Sequence, residues 1–275
     1  MLKKEDFNYK YGTTQGRLTE SNELQRFPSE SWQLEFVNAP EVGLSYIELL
    51  SEREFNPNNP LWLEEGREEI KNLMKNNNLE PYSIVCDFYI NHDLLDDVEN
   101  NALVHFENLF LAANEIGCSV VVLPLMEKSI INPDNANEFE FVLKSLSAKA
   151  SKYGLKICLE TTLEASSLIK LLDSLKRENI KAVYDVGNRA NLDENAFSEI
   201  SLLGKYLEHV HIKDKDSNGN NVTLGKGIAN FQDVFKALKQ INYSGPLIFE
   251  STRGANPLET TKSNIKFCNY FINKA

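Results

Sequence analysis

At 275 residues with 42% hydrophobic side chains, the chain can build a full core, as one large domain or two small ones. Its 40 acidic residues outnumber 29 basic ones, for a net charge of −11. That balance excludes a broadly basic face for DNA or RNA and leaves an anionic small substrate to a few local lysines or arginines.

The predicted elements alternate between short β-rich runs and longer amphipathic ones. The first strand is expected over 7–14 (FNYKYGTT), followed by a helix over 29–43 that opens on a serine cap, ends in glycine and should bend or break at Pro40. A strand over 44–50 (LSYIELL) precedes an insertion at 51–60 and a helix over 59–78, with acids early and lysines late as the helix dipole favours. Next come a strand over 82–89 (YSIVCDFY), a helix over 103–117, a strand over 119–125 (SVVVLPL), an insertion at 127–135 and a helix over 135–154. The series continues with strands over 155–161 (LKICLET), 180–186 (IKAVYDV), 207–214 (LEHVHIKD) and 246–252 (PLIFEST). Helical patterns over 163–179, 194–206, 230–242 and 257–274 fill the remaining gaps.

Eight strand–helix units imply a parallel sheet with helices outside, and in a chain of this length they fit a closed (β/α)8 TIM barrel, one α/β domain over 1–275, better than an open doubly wound sheet. The stretch YGTTQGRL has its two glycines at the wrong spacing for a dinucleotide fingerprint. No run reaches the roughly 18 apolar residues of a membrane helix. The charged start MLKKEDFNYKYGTT does not read as a signal peptide. Cys86, Cys118, Cys158 and Cys268 form no CxxC pair and read as reduced, small core residues of a cytoplasmic protein. Trp32 and Trp62 read as core or loop anchors.

In a parallel barrel the loops leaving the C-terminal strand ends form the active site, so polar residues closing each strand are the candidates. Strand two offers Glu48, strand five Glu160, strand six Asp185 and Asn188, strand seven His211, Lys213 and Asp214, and strand eight Glu250. Period-two alternation sets Cys158 and Glu160 opposite Leu159, and sets His209, His211 and Lys213 opposite Val210 and Ile212. Acids converging in a dry cavity would repel one another, and a divalent cation removes the conflict. Glu160, Asp185, His211 and Glu250 would supply mostly oxygen ligands and one nitrogen, which favours Mn²⁺ or Mg²⁺, with Co²⁺ or Zn²⁺ also compatible. A cap or loop hydrogen bond is the plain alternative for any one of these acids. His209 lies one layer deeper, where it would support or pack against His211 rather than bind metal.

The series TQGRL, LQRFP, YIELL, SIVCDFY, VVLPL, CLET, YDVGN, HVHIKD, LGKGIANF and SGPLIFESTRG resembles, in order along nearly the whole chain, the xylose isomerase-like barrels, specifically their sugar and sugar-phosphate isomerase and epimerase branch. The resemblance implies the metal quartet Glu160, Asp185, His211 and Glu250. It also implies that Glu160 and Glu250, matching the paired glutamates of ketose 3-epimerases, exchange a proton on the two faces of the reacting carbon. Where those epimerases carry a substrate-touching histidine, three residues after the aspartate, this chain has Asn188. The four histidines (His92, His105, His209 and His211) are too few for the three-zinc DNA-repair branch. A sugar or sugar-phosphate substrate, and a homodimer, follow as expectations.

Further substrate contacts are expected from Arg17, Glu48, Asp87, Asn188, Lys213, Lys226 and Arg253. Lys213 could hold a substrate oxygen or phosphate, or pair with Asp214 or Glu250. The LGKG loop at 224–227 could cradle an anion through backbone N–H groups or be a plain turn. Arg17 and Arg253 could clamp an anion or lie on the surface, and Glu127 reads better as a solvated loop acid than as a sugar contact. The rivals to a metal-dependent isomerase or epimerase are a keto-inositol or keto-sugar dehydratase on the same ligands, a Schiff-base aldolase using Lys213, and a sugar or metal binder without turnover.

Overall fold

Each of the eight expected strands has its counterpart in the computed structural model, which describes residues 9–21, 23–97, 102–190, 192 and 195–275. The first two positions of the first expected strand lie outside the described residues. The strands are β1 (Tyr11–Thr14), β2 (Tyr46–Ser51), β3 (Ser83–Cys86), β4 (Val120–Leu125), β5 (Lys156–Thr161), β6 (Ile180–Asp185), β7 (Leu207–Ile212) and β8 (Leu247–Phe249). All neighbours pair in parallel, and β1 pairs with both β2 and β8, so the barrel closes. At the closing seam Tyr11 pairs with Leu247, and the Tyr11 and Phe249 rings stack at 5.5 Å.

The outer helices are α1 (Trp32–Glu41), α2 (Glu64–Asn76), α3 (Leu103–Ile116), α4 (Ala136–Lys152), α5 (Ala165–Leu175), α6 (Ala196–Leu203), α7 (Phe231–Gln240) and α8 (Pro257–Ile272). Each buries its apolar stripe on the barrel; in α3 that stripe is Phe106, Leu109, Phe110, Ala113 and Ile116. Strands covered on both faces read as continuous apolar runs, and every residue of β4 (VVVLPL) is buried. Asn195, Asn230 and Asn256 cap α6, α7 and α8 by accepting backbone N–H bonds. The four cysteines are free and buried, and Trp32 sits in the core.

Three local expectations are corrected. Pro40 does not break α1 ahead of itself: it stands in the last turn, and the helix ends one residue later at Glu41, so the single N–H bond it removes lies at the helix end. The expected serine cap, Ser29, lies ahead of the helix, which starts only at Trp32, and Ser31 at its N-cap position makes no side-chain capping bond. The third strand stops at Cys86, because Phe88–Asn91 coil into one helical turn, and Asp87 is therefore the first residue off the strand. Among the described residues no helix is long and apolar enough to cross a membrane.

Candidate metal centre and active site

Four strand tips bring Glu160, Asp185, His211 and Glu250 to one point. Asp185 ends β6 and pairs in register with His211 of β7, which pairs with Ile248 of β8. Glu160 is the penultimate residue of β5, and Glu250 follows β8 directly, its N–H bonded to Ile212 O at 3.1 Å. One donor atom from each of the four lies within 4.8 Å of the others. Glu160, Asp185 and His211 are buried, and Glu250 is 16% exposed toward the mouth.

His211 is aimed by its far nitrogen. Its Nε2 lies 2.8 Å from Glu48 Oε1, and its Nδ1 faces Glu160 Oε2 at 3.6 Å, Asp185 Oδ2 at 3.7 Å and Glu250 Oε2 at 3.4 Å. Glu48 was expected to touch substrate; instead it is fully buried beneath His211. The physical reason is its position: β2 continues to Ser51, so Glu48 lies inside the barrel rather than at the rim. It also accepts from Ser83 at 2.8 Å and Thr14 at 3.3 Å. His209 packs one layer below, its ring stacked on Tyr82 and its Nε2 3.0 Å from Glu48 Oε2. Burial holds the His209 imidazole below its ordinary pKa, against the opposing pull of the Glu48 charge.

The mouth is lined by further expected residues. Asn188 donates its side-chain amide to Glu160 Oε1 at 2.8 Å and its backbone N–H to Asp185 Oδ1 at 2.7 Å. Lys213 reaches Asp185 Oδ2 and Glu250 Oε2, each at 2.8 Å. Arg17 lies 3.9 Å from Glu250 Oε1, and its Nε and Nη1 are buried without hydrogen-bond partners among the described residues. Its third nitrogen donates to Gln25 Oε1, and the Gln25 amide donates to Asp87 Oδ2 at 2.7 Å. Burial, with the Glu250 charge adding to it, pushes the Asp87 carboxyl up to about 7.

Other candidates are occupied elsewhere. Arg253 is corrected: its guanidinium donates to the backbone oxygens of Gly16, Glu23 and Leu24, clasping the β1–α1 loop instead of offering an anion clamp. In the glycine-rich loop the backbone cradle is present but filled from within. The N–H groups of Gly225, Gly227 and Ala229 bond the buried Asp214 carboxylate at 2.9, 2.9 and 3.2 Å, so the cradle already holds an internal anion. A Cβ on Gly227 would fall 2.2 Å from Asp214 Oδ1, which explains the glycine. Lys226 is exposed on this loop, outside the cluster. Glu127 pairs with Arg53 at the surface.

Supporting residues missed in the sequence include Glu35, Gln25, Gly187 and the buried Arg189–Glu199 ion pair. Glu35 of α1 accepts the N–H groups of Gly16 and Leu18 at 2.7 and 2.9 Å and fixes the backbone on both sides of Arg17. An acid within the buried stripe Trp32, Glu35, Phe36 and Ala39 was the signal for it. Nothing in the local pattern marks Gln25.

The quartet fits a divalent cation. His211 Nδ1 is buried with no hydrogen-bond partner among the described residues, facing carboxylate oxygens at 3.4–3.7 Å. Such separations are too long for hydrogen bonds but suit donors each about 2.0–2.3 Å from one shared centre. The electrostatics ask for positive charge there: burial alone would lower the His211 pKa, yet Glu48, Asp185 and Glu160 together raise it well above its ordinary value.

The sequence pattern of one protein family, described as the xylose isomerase-like TIM barrel, matches residues 36–271. A probable L-ribulose-5-phosphate 3-epimerase, UlaE, of Mycoplasma pneumoniae is 26% identical over 171 residues, 59% of this chain and 56% of that protein. An inosose dehydratase of Klebsiella pneumoniae is 25% identical over 190 residues, 54% of this chain and 62% of that protein. The matches thus span only about half of the first relative and somewhat more of the second. A solved structure of an L-ribulose 3-epimerase superposes with a TM-score of 0.78 at 15% identity, covering 97% of this chain and 95% of that one, and so shares the fold.

Proposed function

The chain belongs to the xylose isomerase-like TIM barrel family, and from that premise we propose that it is a divalent-metal-dependent isomerase or epimerase of a ketose or ketose phosphate. The observation that carries this reading is the meeting of Glu160, Asp185, His211 and Glu250, buried at the C-terminal ends of β5 to β8. A cation held there, Mn²⁺ or Mg²⁺ from the oxygen-rich donor set and Co²⁺ or Zn²⁺ as substitutes, supplies the Lewis acidity that lets a carbon acid beside a carbonyl ionise near neutral pH.

The chain's own groups then move the proton. Glu160 and Glu250 are the two carboxylates we assign to the reacting carbon. Burial raises the pKa of Glu160, and the charges of Asp185 and Glu250 add to the effect, so it holds a proton more readily than a solvated glutamate. Asn188 fixes one Glu160 oxygen, and Lys213 fixes Glu250 Oε2. Arg17 and Asp87 remain to bond sugar hydroxyls at the mouth. Return of the proton to the opposite face gives epimerisation; return to the adjacent carbon gives aldose–ketose isomerisation.

A Schiff-base aldolase is disfavoured. The Lys213 ammonium sits between two carboxylates that hold its pKa above the ordinary value despite burial, the reverse of an activated amine. The inosose dehydratase relative supports one second reading, loss of hydroxide after the same proton removal.

The test is NMR in D₂O with a panel of ketoses, ketose phosphates and keto-inositols, after EDTA treatment and again with added Mn²⁺. Metal-dependent deuterium uptake beside the carbonyl, without dehydration, is expected, and E160Q and E250Q should each lower it by roughly 10²–10⁴-fold. Dehydration would favour the second reading. Exchange that survives both substitutions, or none with any substrate, refutes the proposal.

A further inference from the structure

Lys213 does more at the centre than fix one Glu250 oxygen. It donates to Glu250 Oε2 and lies 2.8 Å from Asp185 Oδ2 as an ion pair, and these are the same two oxygens that face His211 Nδ1. Its side chain is only 8% exposed. The chain makes room for it at Gly187, within the helical turn Val186–Ala190. That residue has no positive φ, so its backbone does not call for glycine. A Cβ there would instead fall 2.6 Å from Lys213 Cγ and 3.2 Å from the lysine's carbonyl group. Glycine is less favourable than alanine inside a helical turn, and here it leaves space for the lysine stem.

We infer that Lys213, seated over Gly187, is the resident counter-cation of the acid cluster: it keeps the ligands converged in the metal-free protein and weakens the hold on the metal. The inference rests on the reading of this cluster as a divalent-cation site. Carboxylates this close repel when uncompensated, and an ammonium ion-paired with two of them replaces part of the charge a metal would bring. Each carboxylate oxygen has two lone pairs, so the lysine keeps its place when an ion arrives and opposes that ion by charge repulsion. The outcome is a preassembled site with a moderated, exchangeable metal.

The test compares K213M, of similar length without the charge, and G187A, which displaces the stem while keeping the charge. Mn²⁺ affinity is measured by electron paramagnetic resonance of the free ion, and Tm is measured on EDTA-treated protein. K213M should bind Mn²⁺ on the order of ten-fold more tightly or better, its metal-free Tm should fall by several degrees, and added Mn²⁺ should restore it. G187A should move both quantities in the same direction. Folded K213M with unchanged or weaker Mn²⁺ binding overturns the inference; if K213M does not fold, unchanged values in G187A overturn it. A wild-type protein that binds no divalent cation removes this inference and the proposed function together. One that binds Mn²⁺ but turns over no sugar removes the function alone.

Discussion

Replacing Glu48 by glutamine tests whether the fully buried carboxylate aims His211 or, as its place in YIELL first implied, meets substrate. The structure gives it bonds from His211 at 2.8 Å, Ser83 at 2.8 Å and Thr14 at 3.3 Å. Glutamine preserves the volume and keeps one acceptor oxygen, so the barrel should stay folded. It loses the charge that makes the His211 bond roughly twice as strong as a neutral one. It also places an N–H₂ donor among donors. A loss of about 1.5 kcal/mol in orienting Nδ1 corresponds to about ten-fold in affinity, and removing a group that orients a metal-binding histidine typically costs about 10–100-fold. Isothermal titration of metal-free E48Q with Mn²⁺ should therefore show binding weakened by about 10–100-fold, with Tm within a few degrees of wild type. Unchanged Mn²⁺ affinity together with a raised KM for sugar would refute the reasoning and return Glu48 to the substrate.

Asp214→Ala should cost about 3–5 kcal/mol in urea unfolding, because it strips the acceptor from three N–H groups whose charge-assisted bonds are each worth about 1.5–3 kcal/mol before the loop relaxes; a loss below about 1 kcal/mol would mean that the loop is free to hold another anion. Asp87→Asn should flatten the pH dependence of stability in EDTA-treated protein. The folded pKa of about 7 lies above an unfolded value of about 3.9, so the fold holds a proton that the unfolded chain releases, and the contribution of Asp87 to stability declines as pH rises from about 4 to about 7. D87N should therefore gain on wild type by on the order of a kcal/mol or more between pH 5 and pH 8, and equal slopes in paired urea titrations would count against a neutral Asp87.

The barrel was legible because each unit carries its own signal: apolar runs for doubly buried strands, three- and four-residue spacing for helices. The third strand was read too long since CDFYIN continues an apolar run that suits either structure, and only the fold coils it into a turn. The convergence of Glu160, Asp185, His211 and Glu250 was legible for a related reason, as alternation fixes the side of a strand and parallel register fixes the neighbours. Alternation does not say how deep a residue lies, and Glu48 was misjudged for that. Nor does it say whether a donor is already engaged. Arg253 spends its bonds on Gly16, 237 residues away, and Glu48 meets His211 across 163 residues. Such partners are set by barrel closure, so local pattern leaves them unread.

The burial of Glu48, Glu160 and Asp185 beside the half-buried Glu250 argues for function on its own terms. Apolar side chains of similar volume at these tips would make the barrel easier to fold, since buried ionised groups repay their desolvation only with close partners. The chain instead commits neutral donors from Asn188, Ser83 and Thr14, the cations of Lys213 and Arg17, and a glycine placed to admit the lysine. These partners still leave His211 Nδ1 without a hydrogen bond from any described residue at the centre. A fold that spends so many residues on holding acids together and stops short of satisfying the middle is arranged around something that arrives from outside. Its buried charges gather where the proposed cation and sugar would meet, which is where departures from stability are expected when function sets the sequence.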